Sequence, residues 1–363
     1  MMRPTFVEVD LDAIRDNVSK LKPADAELML VVKANAYGHG DAPVARAALE
    51  AGATRLGVAL VEEGLALRAA GIATPVLVLS EIPPGAEAPA LEAELTPTLY
   101  SLDGLERLAA AGAGSAAVHV KVDTGMHRVG LHPPDATVGF LRRVLEAGLF
   151  VSGLWTHFAR AEEDEPTTKE QLRRFLEVVD EVRAAGIDPG TLHSANSAAT
   201  ILYPETHLDM VRVGIAAYGI PPGPGVGEDL GLRPALSWRS AVSLMRRLSA
   251  GEAISYGHRY RLESDSNVAT VPVGYADGYP RALSSRADVL IGGRRHRVAG
   301  NVTMDQLLVD CGEHAVASGD EVVLLGRQGH QEVSARELAD LLDTIPYEVV
   351  STIGARVPRV HVG

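Results

Sequence analysis

Eight short apolar runs, at 28–32, 56–59, 76–79, 97–100, 117–122, 151–155, 191–193 and 210–213, constrain this chain more than any other feature. Between most of them lie Ala-, Leu-, Glu- and Arg-rich stretches of helical period, at 44–51, 62–70, 104–111, 137–147 and 170–185. Eight strands alternating with amphipathic helices predict an α/β fold, a (β/α)8 TIM-type barrel. The fourth run is the weakest of the eight. An open doubly wound sheet is the rival arrangement, but no Gly-rich dinucleotide fingerprint follows the first run.

After about Gly219 the pattern changes. Pro221-Pro222-Gly223-Pro224-Gly225-Val226-Gly227 reads as a loop or linker. Beyond it β-prone runs dominate, at 235–244, 268–273, 288–291, 297–299, 307–310 and 321–324. A single helix is predicted over 334–343, with Ser334 as N-cap and Glu337 at capping-box spacing. The 363 residues suit one large domain and one smaller one. The expected division is a barrel over 11–234 and a smaller, mostly β C-terminal domain over 235–363, which the N-terminal strand segment 1–10 joins.

A net charge of −13 repels phosphodiester backbones and anionic lipid, so neither nucleic acid nor membrane is an expected partner. Cys311 is the only cysteine, which rules out an internal disulfide and a Cys-rich metal site. The N-terminal residues carry acids where a signal peptide needs an apolar run, and no stretch approaches the ~18 apolar residues of a membrane helix. A cytoplasmic protein is expected.

Of the 34 basic residues only five are lysines: Lys20, Lys22, Lys33, Lys121 and Lys169. Three lie in polar helical contexts. Lys33 and Lys121 lie inside apolar strand runs, where a lysine needs a reason. In a (β/α)8 barrel the polar groups at the C-terminal strand ends form the site. Here these are Lys33, Lys121 and Asp123, His157, the 193–197 segment and Arg212. Any one could be an interior residue paired with a carboxylate; together they describe a cationic pocket in an acidic protein. A lysine buried at a strand end has a lowered pKa, and a neutral primary amine condenses with aldehydes to a Schiff base, which arginine cannot do.

Ten ordered motifs across both domains resemble alanine racemase. They are Val32-Lys33-Ala34-Asn35-Ala36-Tyr37-Gly38-His39-Gly40, Lys121-Val122-Asp123-Thr124-Gly125-Met126-His127-Arg128-Val129-Gly130, Thr156-His157-Phe158-Ala159, His193-Ser194-Ala195-Asn196-Ser197-Ala198-Ala199-Thr200 and Val211-Arg212-Val213-Gly214-Ile215. The others are Ser255-Tyr256-Gly257, Gly274-Tyr275-Ala276-Asp277-Gly278-Tyr279, Met304-Asp305-Gln306, Tyr347-Glu348-Val349 and Arg356-Val357-Pro358-Arg359. The resemblance implies a fold-type III barrel followed by a β domain, pyridoxal 5'-phosphate as cofactor, alanine as substrate and a homodimer with shared active sites.

By resemblance, Lys33 carries the cofactor, and Tyr37, Ser197, the Gly214 and Ile215 amides and Tyr347 hold its phosphate. Asn196 completes the cofactor-binding set. Arg212 faces the ring nitrogen, and a donor-only guanidinium leaves that nitrogen unprotonated, which suits exchange of one α-proton better than transamination. Lys33 serves one face of the substrate and Tyr256 of a second subunit the other. A tyrosine is a weak base near neutrality unless positive charge stabilises its phenolate, and His157 links Tyr256 to Arg212. Arg128 contacts cofactor and substrate carboxylate; Met304 and Tyr275 line the entrance. Lys121 matches a lysine that is carbamylated in several family members, though a plain Lys121–Asp123 network is an alternative.

The implied function is racemisation of alanine, supplying D-alanine for cell-wall peptidoglycan. A broad-specificity amino-acid racemase, a non-catalytic pyridoxal-phosphate protein and a fold-type III decarboxylase are the alternatives. His127 stands where many relatives have a small residue, and Thr303 where a cysteine is common. His132, His207, His296, His314 and His330 show no metal-ligand spacing, so no metal is assigned.

Overall fold

The computed structural model describes residues 3–112, 114 and 116–363. The chain divides into two compact units. One comprises Ala13–Ala36 and Gly40–Arg233; the other comprises the N-terminal segment through Asp12, Tyr37–His39 and Pro234–Gly363.

The first unit is the barrel. Its parallel strands are Glu27–Val31, Arg55–Val58, Val76–Val78, a divided fourth strand, Ala117–Lys121, Phe150–Trp155, Thr191–His193 and Met210–Val213. The last pairs with the first, Met210 opposite Glu27 and Val213 opposite Leu30. Between the seventh and eighth, the Asp209 N–H donates to the Leu192 carbonyl and the Arg212 N–H to Ala195, both at 3.0 Å, which closes the cylinder.

The fourth strand starts two residues before the predicted run and breaks at Pro97. Leu95–Thr96 pairs with the third strand and Thr98–Leu99 with the fifth. Proline has no N–H to give to a ladder, but its carbonyl accepts the His119 N–H at 2.9 Å, so the wall continues across the break. Helices cover the outside and side chains fill the inside. Both faces of a strand such as Ala117–Lys121 are therefore buried: Val118 and Val120 on one, His119 and Lys121 on the other.

The second unit is built on a ten-stranded sheet. Phe6–Asp10 lies within it, antiparallel to Leu236–Ala241 and parallel to Arg359–Val362. Its helix Ala335–Leu342 begins where the Ser334 hydroxyl accepts the Glu337 N–H at 3.1 Å. It ends at Asp343 in the left-handed conformation. Tyr37–His39 is tied into this unit: Arg359 Nε donates to the Gly38 carbonyl at 2.9 Å and His361 Nε2 lies 2.8 Å from the His39 carbonyl. A Cβ on Gly38, whose φ is +82°, would stand 2.3 Å from the Val350 carbonyl oxygen, so this close approach requires glycine. Among the described residues no helix is long and apolar enough to cross a membrane.

Candidate active site

Lys33 follows the first barrel strand at the start of an unusual turn. Ala34, Asn35, Ala36 and Tyr37 have φ of 53°, 54°, 51° and 52°. Four successive non-glycine residues are thus left-handed, at roughly 1–2 kcal/mol each. Local bonds hold them there. Glu63 Oε1 accepts the Ala34 N–H at 2.6 Å, the Val32 carbonyl accepts the Ala36 N–H at 2.8 Å, and Asn35 Oδ1 accepts the Asp41 N–H at 3.1 Å. The other Glu63 oxygen accepts the N–H groups of Ala59 and Leu60. Nothing in the motif around Lys33 pointed to Glu63; its position in the first turn of the helix after the second strand was the only available signal.

Burial and then the Arg128 guanidinium push the Lys33 amine below its ordinary pKa, with Glu63 opposing. Lys121, 3% exposed at the end of the fifth strand, is lowered to about 7 by burial and by Arg128 and Arg212. Its Nζ sits 4.6 Å above the Trp155 ring centre. Asp123 gives it limited relief, because one Asp123 oxygen already accepts the N–H groups of Gly125, Met126 and His127, each at 3.0 Å.

Arg212 is buried in the eighth strand and its hydrogen-bond partners are neutral. Nη2 donates to the carbonyls of Thr156 (2.8 Å) and Ser194 (2.9 Å) and to His157 Nδ1 (3.1 Å); Nη1 donates to His193 Nδ1 (3.0 Å). Its guanidinium lies over Trp155, 4.8 Å from the ring centre. Burial lowers it to about 9. Asp209, the residue immediately before the strand, instead accepts the Leu192 N–H at 2.7 Å.

These bonds fix two tautomers. Because Arg212 can only donate, both His157 and His193 accept at Nδ1 and carry their proton on Nε2. His193 then donates to His119 Nδ1 at 2.8 Å. All three imidazoles are held neutral by burial and nearby cations, His119 down to about 3. The His119 ring fits only because its neighbour is glycine: a Cβ on Gly153 would lie 2.5 Å from it. Alternation in the sequence places His119 on the Lys121 face, but its bond to His193 has no local signal.

Ser197 opens the short helix after the seventh strand. Asn196 caps that helix, accepting the Ala199 N–H at 3.0 Å. Ser197 Oγ accepts the Gly214 N–H at 2.9 Å, bringing the serine beside the Gly214–Ile215 backbone. In the other unit, Tyr37 and Tyr347 meet with ring centres 6.2 Å apart. Gly38 packed on the Val350 carbonyl brings their segments together.

Tyr256, Tyr275 and Met304 line one depression of about 590 Å³ in the β unit. They are 71%, 43% and 53% exposed. Tyr256 rides on a strained turn in which Ser255 and His258 have φ of 64° and 48°. Asn301 Nδ2 grips the Tyr256 carbonyl at 2.6 Å, and Ser255 Oγ donates to the Asn301 carbonyl at 2.7 Å.

Comparison with known proteins places both units of the chain in one family. The alanine racemase N-terminal domain family matches residues 9–222 and the alanine racemase C-terminal domain family residues 235–361. The alanine racemase of Symbiobacterium thermophilum is 51% identical, covering 100% of this chain and 98% of that protein. That of Frankia casuarinae is 46% identical, covering 98% and 95%. The crystal structure of alanine racemase from Bacillus anthracis with bound L-Ala-P superposes with a TM-score of 0.95 at 40% identity, covering 100% of this chain and 96% of that one. With both domain families matched and identity maintained over the full length, the chain belongs to the alanine racemase family.

Proposed function

We propose that this chain interconverts L- and D-alanine with two opposed proton-transfer groups, Lys33 Nζ from one copy and the Tyr256 phenol from a second. The carrying observation is the rim, where burial and then the Arg128 charge lower both the Lys33 and Lys121 amines, with Arg212 adding to the effect at Lys121. Such a rim calls for an anionic ligand that engages an amine.

Pyridoxal 5'-phosphate fits it. On the barrel the donor set is a primary amine lowered by burial, a serine hydroxyl beside two backbone amides and a donor-only guanidinium, as a phosphorylated pyridine aldehyde needs. Lys33 would carry it; Ser197, Gly214, Ile215, Tyr37 and Tyr347 would take its phosphate, with Asn196 shaping the Ser197 turn. When bound, the cofactor supplies an aldehyde that engages amines and a ring that shares the charge left by a departing α-proton.

The chain's own residues then divide the work. The Lys33 amine, whose uncharged form burial favours, accepts a proton at Nζ from one face in one direction of the reaction and donates one to that face in the reverse direction. Tyr256 exchanges a proton at its phenolic oxygen on the other. His157, with its proton fixed on Nε2 by Arg212, offers that N–H to stabilise the phenolate. Arg212 offers its remaining hydrogen-bonding capacity to an acceptor nitrogen and cannot receive a proton there. Arg128 holds the substrate carboxylate. Met304 and Tyr275 restrict the entrance to a small side chain.

The exposed Tyr256, Tyr275 and Met304 support a homodimer in which a second copy covers them. Lys121 near neutrality supports carbamylation, since carbon dioxide adds only to an uncharged amine. A cytoplasmic location and supply of D-alanine to peptidoglycan complete the reading. Chiral chromatography of alanine incubated with the protein and added cofactor tests it. Either enantiomer should reach an equal mixture; no interconversion would overturn the proposal.

A further inference from the structure

The loop that carries Arg128 joins the fifth barrel strand to the segment before the next helix, and its base is pinned. The Asp123 N–H donates to the Leu131 carbonyl at 3.0 Å and the Leu131 N–H to the Lys121 carbonyl at 2.8 Å. This pinning brings His132 back beside Asp123. At the top of the loop His127 adopts φ of 55°, a left-handed conformation that turns the chain back. Its Nδ1 lies 3.4 Å from Asp123 Oδ2, and its ring meets the His132 ring edge-on, with centres 5.3 Å apart. One ligand atom from each of Asp123, His127 and His132 lies within 4.8 Å of the others.

We infer that Asp123, His127 and His132 form a binding site for a divalent transition metal of the zinc class, clamping the Arg128 loop. Two imidazoles and one carboxylate suit Zn²⁺, Co²⁺ or Ni²⁺ better than the oxygen-seeking Mg²⁺ or Ca²⁺. Two ligands each about 2.1 Å from a tetrahedral ion stand about 3.4 Å apart, the spacing of His127 Nδ1 and Asp123 Oδ2. The carboxylate is already oriented for the task. Its Oδ1 is occupied by three backbone N–H groups, which leaves Oδ2, already 3.4 Å from His127 Nδ1, for a metal. His127 and His132 are exposed, so an ion can enter from solvent and keep water or another exchangeable ligand in its open position. Arg174, whose Nη1 lies 3.5 Å from the Thr124 carbonyl in the same loop, is paired with Glu170 at 2.9 Å, which reduces its repulsion of a metal.

The consequence follows from connectivity. Arg128 is the residue after His127, so a metal joining His127 to the two residues at the loop base removes freedom from the backbone that aims Arg128. The proposed role is to position Arg128, and it is separate from the racemase reading: the metal can bind whether or not the chain is active.

The experiment titrates chelator-treated holoenzyme with Co²⁺ and follows its visible d–d absorption, to the red of the cofactor. Hydrogen exchange of the 124–131 amides is measured with and without Zn²⁺. The expected result is saturation at one equivalent per chain and slower exchange in that segment. His132→Gln should weaken binding at least about tenfold and abolish the exchange effect, while secondary structure and cofactor content stay those of the parent. His127→Gly, which also relieves the positive φ, should lose binding in the same way. No Co²⁺ band in the parent chain, or a band of equal strength in both variants, would overturn the site.

Discussion

The barrel rim and the depression in the β unit carry the two proposed proton-transfer groups in opposite physical settings. At the rim, Lys33, Lys121, His157 and Arg212 are crowded, partly or fully buried, and shifted toward their uncharged forms. In the β unit, Tyr256 is 71% exposed on a strained turn beside Tyr275 and Met304. A buried cationic rim suits an anionic small molecule; an exposed phenol beside Tyr275 and Met304, in a depression that also holds Arg281 and Asp305, suits a protein surface. The difference teaches that the two proposed proton-transfer groups rest on separate physical features of the chain, so they can be broken separately.

The largest expected effect is at the rim. Lys33→Ala should abolish the borohydride-reducible chromophore and lower racemisation by about 10³-fold or more, since amine and base are lost together. Retention of the covalently held cofactor would show that another lysine was the carrier. Tyr256→Phe should leave that chromophore intact and reduce α-hydrogen exchange from L-alanine by about 10²–10⁴-fold. Unchanged exchange would remove the β-unit half from the mechanism.

Mixing the two inactive variants sharpens the contrast. In a mixed dimer with shared sites, one site inherits both defects and the other none. Random assortment should therefore restore about a quarter of the parent activity. Mixed dimers that form normally and stay inactive would mean that each chain completes its own site.

How far these halves could be read beforehand differs as well. The barrel was visible because apolar runs and helical stretches alternate eight times, and Lys33 and Lys121 stood out because this chain otherwise meets its need for positive charge with arginine. The Ser334 cap was visible because it is local chemistry. The break at Pro97 was obscured because the residues on either side of it pair with different neighbours. The left-handed turn at 34–37 was invisible: Ala-Asn-Ala-Tyr has no intrinsic preference for it, and Glu63 and Asn35 impose it through bonds that need the fold first. The same holds for the bond between His119 and His193 and for the meeting of Asp123, His127 and His132. Such convergence depends on strand register and loop closure, which single-residue patterns do not encode.

The smallest effect probes the rim's electrostatics without substrate. Lys121 ordinarily titrates near 10.5 and is lowered to about 7 in the folded chain. Between those values the unfolded chain holds a proton that the folded chain has released, so stability rises with pH across that window. Lys33 and Arg212 are lowered too and act with the same sign. Cys311 and Tyr260, each raised to about 12, act oppositely at higher pH, where their unfolded forms ionise first. The clean interval is therefore pH 7 to 9. Urea unfolding of the cofactor-free protein should show stability increasing through it, and Lys121→Met should flatten that rise by up to about 1.4 kcal/mol per pH unit, the worth of one proton. An equal slope in the parent and Lys121→Met proteins would mean that the rim tolerates a charged Lys121, and the argument for an uncharged amine there would fail.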